Sequence, residues 1–159
     1  MSFKFTEENL KRIEEARKKY PTSLAAVMPT LYIAQEQNGY ITNEVMEEVA
    51  NVLGIGKVDV LSVVTFYTMY HTKPVGKYHI QVCTNVSCML RGAYEIWDFI
   101  KNKLGIGHME VTSDGKFSLE EVECMGACGY APMIAINEEY YENLTKEKVE
   151  EILNTLSKE

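Results

Sequence analysis

The sequence has no apolar run approaching the roughly 20 residues of a membrane-spanning helix, which excludes direct membrane insertion by that route. Its start, MSFKFTEENLKRIEEARKKY, is charged throughout and lacks the apolar stretch of a secretory signal, so the expected location is cytoplasmic. No basic stripe is present. The densest basic patch, KRIEEARKK, interleaves glutamates and reads as a solvated helix face; with a net charge of −7 this excludes nucleic acid and anionic membrane surfaces as expected partners. There is also no G-x-G-x-x-G fingerprint, no P-loop and no acid/base constellation, so no site for a nucleotide, a flavin or two-electron catalysis is written in this chain. Cysteine is scarce, with four in 159 residues. In a chain without a secretory signal these are expected as metal ligands or redox groups rather than a disulfide framework.

What is there divides in two. An apolar content of 46% against 25% charged residues is that of a globular protein. Up to Val75 there are 8 basic and 9 acidic residues, and from Gly76 onward 8 and 14, so the half that bears the cysteines is the acidic one.

The first half reads as four short amphipathic helices. Thr6 can cap a helix over Phe3–Tyr20, with Phe5 and Leu10 at staple spacing and Pro21 as the stop. A second helix is expected from Thr22 to Gln37, kinked or split at Pro29 and ended by Asn38-Gly39. Ile41-Thr42 repeats the staple-and-cap pattern with Met46. A fourth segment, Val58–Tyr70, has a pattern mixed enough that its end is expected to lose helical form. No His, Asp or Glu in this half shows ligand spacing. Thr72-Lys73-Pro74-Val75-Gly76 punctuates the chain, giving expected domains of 1–72, a small helical bundle, and 73–159, an α/β layer: an α+β protein.

In the second half Lys77–Cys83 alternates as a half-buried strand, with Tyr78, Ile80 and Val82 on one face and His79, Gln81 and Cys83 on the other. A helix over Ser87–Leu104, with Met89 or Leu90, Ala93, Ile96 or Trp97, and Ile100 on its apolar face, is expected next. A turn at Thr112–Gly115, strands at Phe117–Glu123, Met133–Asn137 and Tyr140–Leu144, and a last helix from Thr145 complete the half. Cys83 and Cys124 then end two strands, Cys88 lies at a helix N-terminus that favours thiolate, and Cys128 sits in a Gly-bearing loop. If the two strand ends are neighbours, all four sulfurs converge.

The pairs are CTNVSC (Cys83, Cys88) and CMGAC (Cys124, Cys128), with gaps of four and three residues. Zinc knuckles usually leave two to four residues between cysteines, so these gaps are at the wide end for one ion and suit the broader 2Fe–2S cluster, held by two thiolates at each iron. Gly126 and Gly129 bracket Cys128 and allow the loop to turn backbone N–H groups inward, as cluster sulfurs require. Spacing alone favours 2Fe–2S and leaves open a zinc-stapled interaction module and redox thiols. A thioredoxin-type dithiol would need Cys-x-x-Cys, two residues shorter than CTNVSC. A Rieske site would need two histidines; His79 reads as an ordinary strand histidine, and His71 and His108 lie at element edges rather than in a ligand cluster. Phe66, Tyr67, Tyr70, Tyr130 and Tyr140 are either a docking face or core.

The cysteine pairs, ECMGACGYAPMIAIN, SVVTFYTMY, TNVSCMLRGA and the QNGYIT turn together resemble the thioredoxin-like 2Fe–2S subunit family of NADH dehydrogenases. This is the small flavoprotein-partner subunit of complex I, shared with NAD-dependent hydrogenases and formate dehydrogenases. The resemblance implies a thioredoxin-like second domain, one 2Fe–2S cluster on Cys83, Cys88, Cys124 and Cys128, and a one-electron role without catalysis of its own. It also implies an FMN- and NAD-binding flavoprotein partner and further iron–sulfur subunits. Within the acidic half such a cluster is expected to have a low potential.

Overall fold

Three threonines start helices where local sequence signals place them. Thr6 accepts a hydrogen bond from the Asn9 N–H (3.2 Å), Thr42 from Val45 (3.3 Å) and Thr145 from Lys148 (3.4 Å), each satisfying a backbone donor that the first turn leaves free. The computed structural model describes residues 2–158, and the chain divides into two units, Met1–Pro74 and Val75–Glu159.

The first unit holds α1 (Glu7–Arg17), α2 (Val27–Asn38), α3 (Asn43–Leu53) and α4 (Lys57–Phe66). Ile13, Leu31, Ile41, Val45, Leu53 and Val60 are buried in its core, each contributing roughly 1.5–3 kcal/mol by removal from water. Met46 joins Ile41 in that core as the staple pattern requires, whereas Leu10, the expected partner of buried Phe5, is 40% exposed. Of the kink or split expected at Pro29, a split forms, but ahead of the proline. Leu24–Ala26 is a 3₁₀ turn and α2 begins only at Val27, so Pro29 occupies the first turn, where a missing N–H costs no intrahelical bond. α4 ends at Phe66 and Tyr67 is extended, the loss of helical form anticipated for this segment. Tyr70 is core: it is buried, and its hydroxyl donates to the Met28 carbonyl at 3.0 Å.

The second unit is a five-stranded mixed sheet in the order β2-β3-β1-β4-β5. Its strands are β1 (Tyr78–Cys83), β2 (Glu110–Val111), β3 (Phe117–Val122), β4 (Ile134–Ile136) and β5 (Glu139–Tyr141). β1 and β3 are parallel and every other pairing is antiparallel. Between them run α5 (Val86–Leu90) and α6 (Ala93–Leu104), and α7 (Lys146–Leu156) closes the chain. Ile80, Val82, Leu119 and Ile134 of the sheet share a core with Trp97 and Ile100 of α6 and Val149 and Leu153 of α7.

Three elements of this unit depart from expectation. The helix drawn over Ser87–Leu104 is two helices, because Arg91 closes α5 and Gly92 adopts φ +92°, a conformation that strains an L-residue within a helix. The break turns Met89 (44% exposed) and Leu90 (78%) outward, off the apolar face assigned to them. β2 is an addition, since two residues carry no measurable alternation. β1 is also covered on both faces rather than one: His79 and Cys83 are buried along with Tyr78, Ile80 and Val82.

That second face of β1 is polar. His79 Nδ1 lies 2.8 Å from Ser118 Oγ, its Nε2 lies 2.9 Å from Glu120 Oε2, and Gln81 Nε2 donates to the same carboxylate at 2.9 Å. Among the described residues, no buried side-chain nitrogen or oxygen lacks a partner. His79 is therefore a structural histidine tying β1 to β3. Replacing it with leucine should destabilise the chain by about 2 kcal/mol, because Ser118 and Glu120 lose a buried partner. Iron content should be unchanged, which chemical denaturation and metal analysis on one preparation would check.

Candidate metal centre

The parallel pairing of β1 and β3 aligns Cys83 with Val122, so Cys124 follows two residues beyond the partner of Cys83. β4 runs antiparallel to β1 and its chain enters at the same end, where the Cys83 N–H donates to the Met133 carbonyl at 3.4 Å. The carboxyl ends of parallel strands are where open α/β sheets hold their ligands. All four cysteines are free, and all four lie on segments leaving this end.

The two pairs differ in burial. Cys83 and Cys88 are buried, and with Ala93, Ala131 and Met133 they form a small core of their own, fringed by Val122, Met125 and Ala127. Cys124 and Cys128 are exposed. Cys128 opens a 3₁₀ turn, Cys128–Tyr130. Gly126, at φ +77°, donates its N–H to Cys124 Sγ at 3.4 Å, so this glycine performs the inward turn of the loop. Gly129, the other bracketing glycine, has no positive φ. The Tyr140 hydroxyl donates to the Met125 carbonyl at 3.2 Å, the Arg91 Nε donates to the Ala131 carbonyl at 2.7 Å, and the Asn143 and Leu144 N–H groups donate to the Tyr130 and Pro132 carbonyls.

Cys88 does not behave as a thiolate poised at a helix start. It is the third residue of a five-residue helix, too short to build much dipole, and burial dominates. Burial first, then the hydrogen bond and charge of neighbouring Cys83, push its thiol up to about 11; the Met133 backbone, hydrogen-bonded to the sulfur, opposes them, and Cys128 adds to the rise. At neutral pH Cys88 is thus a protonated thiol, and a metal that binds it displaces a proton. In the chain stripped of metal, iodoacetamide should modify exposed Cys124 and Cys128 before Cys88 at pH 7, with Cys88 labelling accelerating as pH rises toward 11. Peptide mass mapping over time reads this order, and first labelling at Cys88 at pH 7 would contradict it.

The histidines stand apart from this set. His79 is held in the β1–β3 network, and His108 Nδ1 accepts the Glu121 N–H at 3.0 Å. Among the described residues no three His, Cys, Asp or Glu side chains gather about a point suited to a single metal ion, whereas a 2Fe–2S cluster asks only for a thiolate pair at each iron. Two thiol pairs, an N–H group on the Cys124 sulfur and an apolar lining on one side fit that demand. Sequence reasoning missed Arg91 as a support of the cysteine loop, and no local signal could have revealed it, since its partner lies 40 residues away. It also missed the exposed apolar side chains Val86 and Leu90 beside Cys88.

Fold and site together define a small α+β domain that brings two thiol pairs to the carboxyl end of a parallel strand pair. Residues 13–157 match the family described as thioredoxin-like [2Fe-2S] ferredoxin. The chain is 49% identical over 158 residues to an NADH-quinone oxidoreductase subunit of Rickettsia bellii (strain RML369-C), covering 98% of this chain and 95% of that protein. It is 43% identical over 143 residues to an NADH-quinone oxidoreductase subunit of Rhizobium meliloti (strain 1021), covering 90% and 85%. Among solved structures, an NAD+-reducing [NiFe]-hydrogenase in the H2-reduced state superposes with a TM-score of 0.71 at 15% identity, over 81% of this chain and 22% of the hydrogenase chain, a likeness of fold. The chain belongs to the thioredoxin-like [2Fe-2S] ferredoxin family. Its cofactor is accordingly one 2Fe–2S cluster.

Proposed function

We propose that Cys83, Cys88, Cys124 and Cys128 hold the cluster, and that the chain serves as the one-electron carrier of an NADH-linked oxidoreductase complex. When bound, the cluster accepts and returns one electron at a time. The chain's own residues do the rest. The Gly126 N–H places partial positive charge on the sulfur of Cys124, which favours the reduced state. The apolar lining from Ala93, Ala131 and Met133 keeps water from the Cys83–Cys88 side, and the exposed Cys124–Cys128 side leaves a short route for an electron to a partner.

The observation that carries this reading is the convergence of both cysteine pairs at one sheet end. The partner is an FMN- and NAD-binding flavoprotein, with further iron–sulfur subunits beyond it, in a cytoplasmic assembly or cytoplasmic arm. Similarity to the NADH-quinone oxidoreductase subunits of Rickettsia bellii and Rhizobium meliloti supports that assembly. So do the exposed apolar side chains Val86, Leu90 and Tyr130 near the thiols, which suit a docking face better than open solvent. Phe66 and Tyr67 at the end of α4 are exposed as well, while Tyr70 is withdrawn from the candidate docking set by its burial. Among the described residues no helix is long and apolar enough to cross a membrane.

Anaerobic purification followed by iron, sulfide and zinc analysis with a visible spectrum tests the cofactor assignment. A brown chain with about two irons and two sulfides is expected; a colourless chain holding zinc would return the site to a structural role.

A further inference from the structure

Arg91 lies at the junction of the two cysteine-bearing segments. Its backbone N–H donates to the Cys88 carbonyl at 3.1 Å, so it ends α5 one turn after that thiol. Its Nε donates to the carbonyl of Ala131 at 2.7 Å. Ala131 is fully buried, and a buried carbonyl without a donor is costly, so this bond fixes the chain there rather than decorating it. Two residues on, the Met133 carbonyl accepts the Cys83 N–H at 3.4 Å, and Met133 packs with Cys83, Cys88 and Ala131 in one buried cluster. The side chain thus ties the two cysteine-bearing segments together, from Cys88 through Arg91, Ala131 and Met133 to Cys83.

We infer that Arg91 is a positioning residue for the iron–sulfur site, clamping Ala131–Met133 so that the Met133 carbonyl is held on the Cys83 N–H and the cover over the Cys83–Cys88 pair stays closed to water. The inference rests on the cysteine assignment proposed above. It has a definite consequence for redox behaviour. Water at a cluster stabilises its more negative, reduced state. With the clamp gone, the Ala131–Met133 cover loosens, water reaches the Cys83–Cys88 side, the potential rises, and the buried sulfur pair is held less firmly. The arginine also carries a charge, and its own contribution to the potential must be separated from the clamp.

The test uses the full chain with Arg91→Gln and Arg91→Lys beside the unsubstituted protein. Lysine keeps the charge but removes the Nε donor from its place. Because Arg91 is exposed, both variants should fold, as far-UV circular dichroism will confirm. Redox titration of Arg91→Lys, which keeps the charge, should move the potential in the positive direction. Iron loss to a chelator should be about tenfold faster in each variant, the factor expected for one charge-assisted hydrogen bond. Parental potential and parental iron loss in Arg91→Gln would overturn the inference, and a shift in Arg91→Gln alone, with Arg91→Lys parental, would reduce the residue to its charge and overturn the clamp. Amide exchange on the metal-free chain gives a second readout. Faster exchange of the Cys83 N–H, which donates to the Met133 carbonyl, in Arg91→Gln supports the clamp even if that variant takes up no cluster, and exchange equal to the parent overturns it. A parent chain without iron and sulfide would instead contradict the cofactor assignment, which the amide measurement does not need.

Discussion

Cys88→Ala should leave the chain without its cluster, and Cys124→Ala should do the same with a different effect on the protein that remains. In both variants iron and acid-labile sulfide should fall from about two each per chain to background, because a 2Fe–2S cluster needs both thiolates at each iron. The folds behind them should diverge. Cys88 is 2% exposed and packs with Cys83, Ala93, Ala131 and Met133, so its truncation removes buried contacts and opens a small void, costing roughly 1–2 kcal/mol in the metal-free chain. Cys124 is exposed, and its alanine variant should match the parent to about 0.5 kcal/mol. Metal analysis and urea unfolding of the metal-free chains read the two effects separately. Full iron retention in either variant would remove that cysteine from the ligand set.

Gly76→Ala is expected to be the most damaging single methyl group in the second unit. A Cβ at Gly76 would stand 2.7 Å from the Ser118 nitrogen and 2.8 Å from the Phe117 Cα, and nearer still to the Phe117 carbonyl carbon. All three atoms are backbone of β3, so no side chain can swing aside. The Gly76 N–H also donates to Ser118 Oγ at 2.9 Å, a bond that any displacement would break. Overpacking against fixed backbone costs typically 1–3 kcal/mol, and here, with a hydrogen bond lost as well, about 3 kcal/mol is expected. The urea midpoint should fall with little change in slope. The position is also functional in an indirect sense, since Gly76 precedes the strand whose register with β3 sets Cys83 against Val122, two residues before Cys124. Cluster loading should therefore fall with stability, and a loss below about 1 kcal/mol would contradict the close approach.

Local signals were legible in the sequence wherever one residue and its near neighbours determine the outcome. Thr6, Thr42 and Thr145 cap helices because a hydroxyl three residues before a backbone N–H needs nothing else. β1 follows from alternation, and the cysteine pairs declare themselves by spacing. What failed depended on the rest of the chain. Pro29 reads as a break only while α2 is thought to begin at Thr22; in the first turn of a helix from Val27 it is ordinary. Gly92 lies inside an uninterrupted apolar period, and only its left-handed conformation divides α5 from α6. The burial of His79 on the second face of β1 needs a tertiary cover that no periodicity encodes, and the same holds for the unequal burial of the two cysteine pairs. The site was thus readable as a donor set, and its asymmetry and its supports were not.

Electrostatics links the chain to its redox behaviour. A 2Fe–2S cluster on four thiolates is anionic in both states and gains one more negative charge on reduction. With net charge concentrated in the cysteine-bearing half, each acidic group at ~10 Å disfavours the added electron by about 1.7 kcal/mol at an effective dielectric of ~20, or about 70 mV. The Gly126 N–H on the Cys124 sulfur opposes this.

The central claim is that this chain carries one electron at a time on a cluster held by Cys83, Cys88, Cys124 and Cys128. A potentiometric titration followed by EPR on the anaerobically purified full chain tests it most directly. A rhombic S = 1/2 signal of about one spin per chain is expected, appearing with one-electron dependence at a potential below zero. A chain that stays EPR-silent on reduction while holding zinc, or one whose centre reduces above zero, would contradict the claim.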